Sequence, residues 1–159
     1  MVKVHDVSTF QPLLCENARR PYRLQNGRCA MDSLPILETS RLILTPLQLG
    51  DAPAIQQLIG SISLYDQPGN NRGFWLATAW QKNGYMREAC RVINHYWFET
   101  LGRCVMQVPK AACNDRSRSV SVHEGMRLVG TEEGHFVCGP VLKQIWELSR
   151  DEWHRRGGR

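Results

Sequence analysis

Several patterns that would mark a whole class of protein are missing from this sequence. Its 159 residues contain no apolar run near the ~18 residues that a membrane-spanning helix needs. The N-terminus has no uninterrupted apolar stretch typical of a secretory signal. There are no internal repeats and there is no G-x-G-x-x-G, which argues against a doubly wound nucleotide-binding fold. These absences predict a cytoplasmic globular protein without a membrane partner.

The spacing of the cysteines argues against a zinc site and against a disulfide framework. All six lack C-x-x-C spacing. A structural zinc site needs paired ligands at short spacing, so we predict no metal. A disulfide framework suits a smaller, loop-rich chain. The sequence therefore predicts free thiols in a reducing cytosol.

What is present is typical of one globular domain. Hydrophobic residues make up 42% and charged residues 22% of the chain, and the formal net charge is +5. A basic balance suits nucleic acid, an acidic substrate or a phosphorylated cofactor, or it has no functional meaning. No aromatic–basic interleaving supports nucleic acid, so that class ranks last. We predict a poorly ordered extension over residues 1–33, the domain over 34–155 and a basic tail over 156–159.

From residue 41 onward, strand and helix patterns alternate. Periodicity, caps and turn residues predict strands and helices in the order β-α-β-β-α-β-α-β-β-α. The predicted strands are Arg41–Pro46, Ile59–Tyr65, Gly73–Ala77, Arg103–Val108 (stopped by Pro109), Met126–Thr131 and Val141–Leu148. The predicted helices are Asp51–Leu58, about Met86 to Leu101, Asp115–Glu124 and a last helix from a capping box at Ser149–Glu152. This order predicts the α/β or α+β class, with helices on the faces of a mixed sheet.

The stretch Gln81–Met86 links a predicted strand to the N-terminus of the long amphipathic helix. The first backbone N–H groups of a helix lack intrahelical partners, and the helix dipole is positive there. A glycine-containing turn at that point is therefore a natural site for a phosphate-bearing cofactor, to which Lys82 adds a cation. An ordinary strand-to-helix turn remains the alternative from this stretch alone.

Several segments, in order, resemble a known family. They are Arg41–Leu44, Gly73–Leu76, Gln81–Met86, Glu88-Ala89, Tyr96–Gly102, Asn114–Ser117, Glu124–Arg127 and Ile145–Trp153. Together they resemble GNAT-superfamily N-acetyltransferases of the ribosomal-protein (RimJ/RimL-like) type, over roughly Leu34 to Trp153. The resemblance implies a central mixed sheet, acetyl-CoA as co-substrate and a primary amine as acceptor. That amine would belong to a protein N-terminus or a small molecule.

The resemblance also implies site residues. The family's pyrophosphate pattern, Gln/Arg-x-x-Gly-x-Gly/Ala, falls on Gln81, Gly84 and Met86, with Met86 in place of a small residue. The implied cofactor-binding residues are Phe74, Trp75, Leu76, Gln81, Lys82, Asn83, Gly84, Tyr85, Met86 and Asn114. Ser117 completes the family's Asn-x-x-Ser and is the implied catalytic candidate near the sulfur. Its alternative is a serine that caps a helix or faces solvent. The general base is open among Asp66, Glu132, Glu133 and His135, which are candidates by residue type only.

One departure from the family leaves the function open between two hypotheses. The family has a further helix and strand between the first helix and Ile59, and here Leu58 runs directly into Ile59. The sequence therefore predicts a shortened domain with an open sheet edge, which would favour pairing with a second copy. The first hypothesis is an N-acetyltransferase that moves the acetyl group directly. The alternative is a degenerate module that binds CoA or a protein partner without turnover.

Overall fold

The computed structural model describes residues 2–6, 35–47, 58–136 and 139–158. The strands are β1 (Val2–Asp6), β2 (Leu37–Glu38), β3 (Leu42–Pro46), β4 (Gly60–Gln67), β5 (Asn70–Leu76), β6 (Val105–Ala111), β7 (Arg127–Phe136) and β8 (Gly139–Ser149). The α-helices are α1 (Tyr85–His95), α2 (Asp115–Glu124) and α3 (Arg150–Arg155). The predicted first helix, apart from Leu58, lies outside the described residues.

The strands form two antiparallel sheets. The first has the order β2-β3-β1-β4-β5 and the second the order β6-β8-β7. The predicted α/β (α+β) class is confirmed, while the predicted single mixed sheet is divided in two. The facing edges, β5 and β6, run in the same direction, since Asn71 lies beside Gln107 and Phe74 beside Lys110. The two sheets therefore separate between β5 and β6, which are neighbours but form no backbone hydrogen-bond ladder.

Strand β1 corrects two predictions at once. Val2–Asp6 pairs with β3 on one side and with β4 on the other. The predicted poorly ordered extension is therefore wrong for these residues, and the rest of 1–33 lies outside the described residues. The predicted open edge beside the shortened segment is also wrong, because β1 fills that place in the sheet. Val4 is 0% exposed, and a run of only five residues was too short to show as sustained periodicity.

The long helix is shorter than predicted and changes its geometry. It is α-helical to His95 and continues as one π-helical turn over Tyr96–Thr100. Tyr96, Trp97 and Phe98 are all buried there. The wider turn directs three consecutive aromatic side chains toward the core, which one face of an α-helix does not accommodate. Gly102 then follows with φ +67°, as the predicted helix end requires.

Near the second sheet, the predicted end of one strand is wrong, while the predicted boundaries of two helices are confirmed. Strand β6 does not stop before Pro109 but continues to Ala111, with Pro109 opposite Ile145 of β8. An edge strand tolerates proline because the missing N–H faces away from its one partner. The α2 boundaries and the capping box of α3 at Ser149 and Glu152 are confirmed.

Candidate functional site

The seam between β5 and β6 is held at one end by side chains. Asn71 Oδ1 accepts the Gln107 backbone N–H at 2.7 Å, and Gln107 Oε1 accepts the Gly69 N–H at 3.1 Å. Further along, no ladder joins the two strands in the described residues. β5 therefore presents a row of backbone groups toward the seam from Phe74 to Leu76, beside the loop that leads to α1.

That loop has a specific backbone shape. Lys82 has φ +67° and Gly84 has φ +81°, so two left-handed residues flank Asn83. Such a conformation costs glycine nothing and an L-residue on the order of 1 kcal/mol. Gln81 Nε2 donates to the Leu76 carbonyl at 2.9 Å, which fixes the loop to the end of β5. Among the described residues Lys82 is the non-glycine residue with a positive φ, and such outliers are typical of functional sites.

The N-terminus of α1 is anchored from one side. Glu88 accepts hydrogen bonds from Thr39 and Arg41, and the Arg41 guanidinium also reaches the Asn83 carbonyl at 3.1 Å. Burial opposes ionisation of Glu88, but these bonds hold the pKa of its carboxyl below the ordinary value. No side chain caps this helix, whose N-cap is Gly84. The anchoring fixes the first turn while leaving the helix end open to an anion.

Asn114 and Ser117 have a defined structural role at α2. The Asn114 side chain is the N-cap and accepts the Ser117 backbone N–H at 3.1 Å. The capping task therefore belongs to Asn114 and leaves the Ser117 hydroxyl available. Within the described residues no hydrogen bond of that hydroxyl is found. Arg116 Nη1 donates to Gln81 Oε1 at 2.8 Å, so the α2 N-terminus is tied across to the loop before α1.

These three elements enclose a cavity of about 710 Å³ between β5, the start of α1 and the start of α2. The volume lies in the range of sites for small molecules and cofactors. Ten of the eleven site residues implied by the sequence line it: Phe74, Trp75, Leu76, Gln81, Lys82, Gly84, Tyr85, Met86, Asn114 and Ser117. Asn83 does not line it and instead bonds within its own loop through the Gln81 carbonyl.

Sequence reasoning missed five lining residues, namely Arg87, Asp115, Arg116, Ser119 and Val120. Arg116, Ser119 and Val120 share one face of α2 at i, i+3 and i+4 spacing, which was a signal available in the sequence. With Lys82, the arginines place three cationic side chains at this cavity. Such a cluster attracts phosphate groups.

The candidates for a general base lie elsewhere. Asp66 pairs with Arg103 at 2.7 Å and Glu132 with Lys143 at 2.6 Å, and neither lines the cavity. Glu133 and His135 lie on β7, also away from it. Asp115 is the carboxylate at the cavity, where it pairs with Arg118 at 3.1 Å.

A buried polar cluster supports the elements around the cavity. Arg72 of β5 donates through both Nη atoms to Glu124 of α2, at 2.8 and 2.6 Å. Asn94 of α1 accepts from Arg72 and donates to Glu124 at 2.7 Å. Cys90 lies beside them, and burial raises the pKa of its thiol to about 12. The cluster joins β5, α1 and α2, the three elements that form the cavity.

Two further features bear on the kind of site. In the part of the chain that the structure describes, no group of three His, Cys, Asp or Glu side chains could hold a metal ion. None of the helices described there is long and apolar enough to cross a membrane.

Comparison with known proteins places this arrangement in context. Residues 54–127 match the family described as the acetyltransferase (GNAT) domain. A protein of Bacillus subtilis (strain 168) named as a ribosomal N-acetyltransferase, YdaF, is 31% identical over 103 residues, which cover 57% of this chain and 56% of that protein. The chain thus spans little more than half the length of this relative.

Solved structures give the same picture of the fold. A crystal structure of an acetyltransferase superposes with a TM-score of 0.56 and 27% identity, covering 60% of this chain and 57% of that one. Mycobacterium smegmatis RimJ in complex with CoA-disulfide superposes with a TM-score of 0.53 and 16% identity, covering 60% and 49%. At that identity the second match concerns the fold alone.

Proposed function

Because residues 54–127 match the family described as the acetyltransferase (GNAT) domain, we propose that this chain binds acetyl-CoA in the cavity and transfers the acetyl group to a primary amine. The observation that carries the proposal is the meeting of the α1 N-terminus, the β5 edge and the α2 N-terminus around about 710 Å³. An uncapped helix end with three cations suits a pyrophosphate. An unpaired strand edge suits an amide-bearing arm.

Different parts of the cavity are proposed to bind different groups of the cofactor. The backbone of Gly84 to Arg87 would hold the pyrophosphate, with Lys82 and Arg116 contributing charge. The β5 backbone from Phe74 to Leu76 would bind the pantetheine amides and donate to the carbonyl oxygen as charge develops there. Acetyl-CoA, when bound, supplies an acetyl group activated as a thioester.

Two side chains are proposed for the proton transfers. Ser117, whose hydroxyl is not needed for capping, would donate to the leaving sulfur. Asp115 is the carboxylate at the cavity that would accept a proton from the amine. We propose a protein N-terminus as the acceptor, with small amines as the second class, because the Bacillus subtilis relative is named for ribosomal acetylation.

The proposal is tested first by binding and then by turnover. Acetyl-CoA should raise the thermal unfolding midpoint saturably, because a ligand that binds only the folded state stabilises it by about 2.7 kcal/mol at 100 times its Kd. Release of free CoA on addition of N-terminal peptides or polyamines would then report transfer. Arg116→Ala should weaken binding. Arg155→Ala, which removes an exposed cation that does not line the cavity, is the matched control.

The outcomes separate the hypotheses. Saturable binding with amine-dependent CoA release supports the transferase. Binding without release for any amine would favour a CoA-binding module without turnover. If millimolar acetyl-CoA leaves the midpoint unchanged, or if Arg155→Ala weakens binding as much as Arg116→Ala, the cavity is not the cofactor site.

A further inference from the structure

Lys110 is a buried lysine that packs against Phe74, a residue that lines the cavity. It lies on β6 at the seam and is 5% exposed. Its Nζ lies 4.2 Å from the centroid of the Phe74 ring, and Phe74 lines the cavity from the opposite strand. The ammonium therefore ends beside the β5 segment proposed to hold the reactive end of the cofactor.

Its charge is poorly compensated. Three groups face it from the packed elements, namely Arg72 of β5, Cys90 of α1 and Glu124 of α2. Both Glu124 oxygens are already bound by Arg72, and one is also bound by Asn94. In the described part of the chain no ion pair or hydrogen bond of Lys110 Nζ is found. Among the described residues, the Phe74 ring is the close contact of Nζ that favours its charge, while Glu124 acts on it without a direct bond.

Burial and the neighbouring Arg72 both favour the neutral amine. Burial first, and Arg72 second, lower the pKa of Lys110 to about 8. An exposed lysine has an ordinary pKa near ~10.4 and is almost fully protonated at neutral pH. Lys110 therefore has a much larger neutral, nucleophilic fraction near neutrality than an exposed lysine has.

Resting on the proposed function, we propose that Lys110 is itself an acetylation site, modified by the acetyl-CoA bound in the adjoining cavity. Its Nζ attacks the thioester carbonyl carbon, so that a C–N bond forms and the C–S bond breaks. The sulfur leaves with the bonding electron pair, and the proton lost by the nitrogen goes to the thiolate. The products are an Nζ-acetyl amide and free CoA.

The modification would change the buried cluster in a defined way. Acetylation removes the Lys110 charge and leaves Arg72 and Glu124 as a balanced pair. It also places a bulkier amide against the Phe74 ring, which lines the cavity, so that this part of the wall would have to shift. The acetylated protein is thus expected to bind acetyl-CoA more weakly than the unmodified protein.

Mass spectrometry of the purified protein tests this directly. Trypsin cuts after Arg103, Lys110 and Arg116, but not after acetyl-lysine. Incubation with acetyl-CoA should therefore yield the peptide 104–116 carrying one acetyl group. Its formation should saturate with acetyl-CoA and be suppressed by added CoA. The rate should rise with pH and level off above about 8.

Controls separate a site-directed reaction from random chemistry. Lys143, on β8 and away from the cavity, should be acetylated slowly, without saturation and without protection by CoA. Lys110→Arg keeps a positive charge but cannot be acetylated, so it should abolish the 104–116 product.

Each result has a definite meaning. Saturable labelling of Lys110 that CoA suppresses supports the inference. If CoA raises the unfolding midpoint and Lys110 stays unmodified, or is labelled no faster than Lys143, this inference is wrong while the proposed function stands. If CoA produces no midpoint shift and no saturable labelling occurs, both are wrong.

Discussion

Glu124→Gln should be a severe change although Glu124 touches no part of the cavity. The Arg72 side chain is 0% exposed and that of Glu124 is 6% exposed, so the pair is desolvated. The glutamine keeps the shape of the side chain but supplies one acceptor and no charge. Two buried cations, Arg72 and Lys110, then lose the carboxylate that compensates them among the described residues.

The expected loss of stability in Glu124→Gln follows from the burial of the Arg72–Glu124 ion pair. Removing one partner of a buried ion pair typically costs about 3–5 kcal/mol, because the remaining charge is left without compensation. The whole domain is expected to be stable by roughly 5–15 kcal/mol. Glu124→Gln should therefore remove a large part of the stability. It should also weaken CoA binding, since β5 and α2 lose their link.

Urea unfolding followed by tryptophan fluorescence measures the change. Glu132→Gln is the matched control, because Glu132 pairs with Lys143 at the surface, where such pairs contribute at most about 1 kcal/mol. The double variant Arg72→Met/Glu124→Leu removes both charges and should be more stable than Glu124→Gln. A cost below about 1 kcal/mol for Glu124→Gln, equal to the control, would refute the reasoning.

Three further predictions concern other parts of the molecule. Lys82→Gly should raise the free energy of unfolding by up to about 1 kcal/mol, because the φ of +67° suits glycine. The same change should weaken CoA binding because it removes a cation. A lower free energy of unfolding in urea would contradict the first expectation. Val4→Asp buries an unpaired charge in β1 and should cost more than about 3 kcal/mol in urea unfolding. Glu38→Gln, at an exposed position of β2 in the same sheet, should be nearly neutral, and equal effects would mean that β1 is not part of the core. Hydrogen bonds from the Ser149 N–H and hydroxyl, together with Arg127, lower the pKa of the Glu152 carboxyl from 4.5 to about 2. The ionised carboxylate therefore stabilises the folded protein above pH 4.5, and this stabilisation is lost as the pH falls toward 2. Between pH 6 and 3, the free energy of unfolding should therefore fall more steeply for the natural protein than for Glu152→Gln. Equal pH dependence in the two proteins would show that Glu152 does not make this contribution.

Local signals predicted the elements whose ends are set by local chemistry. The α2 helix begins at the Asn114 cap and ends at Gly125, whose φ is +79°. The capping box at Ser149 likewise fixes α3. In both cases the side chain that defines the boundary bonds to backbone within three residues. Such boundaries can be read from sequence because no distant contact is needed to set them.

Features that depend on distant contacts were not predictable from the sequence. Val2–Asp6 becomes a strand because it has partners on both sides, about forty to sixty residues away along the chain. Pro109 stays in β6 because it faces an unpaired edge. The position of Arg116 at the cavity and the contact of Lys110 with Phe74 likewise follow from the approach of α2 and β6 to β5. The Gln81–Met86 turn and its Lys82 were recognised in the sequence, whereas the placement of Arg87 and Arg116 at the same cavity depends on the fold.

A crystal structure of the protein grown with CoA tests the central claim most directly. We expect CoA between β5 and α2, with its pyrophosphate on the backbone amides that follow Gly84 and its sulfur near Ser117 and Lys110. CoA bound at another surface, or a cavity that stays empty at saturating CoA, would contradict it.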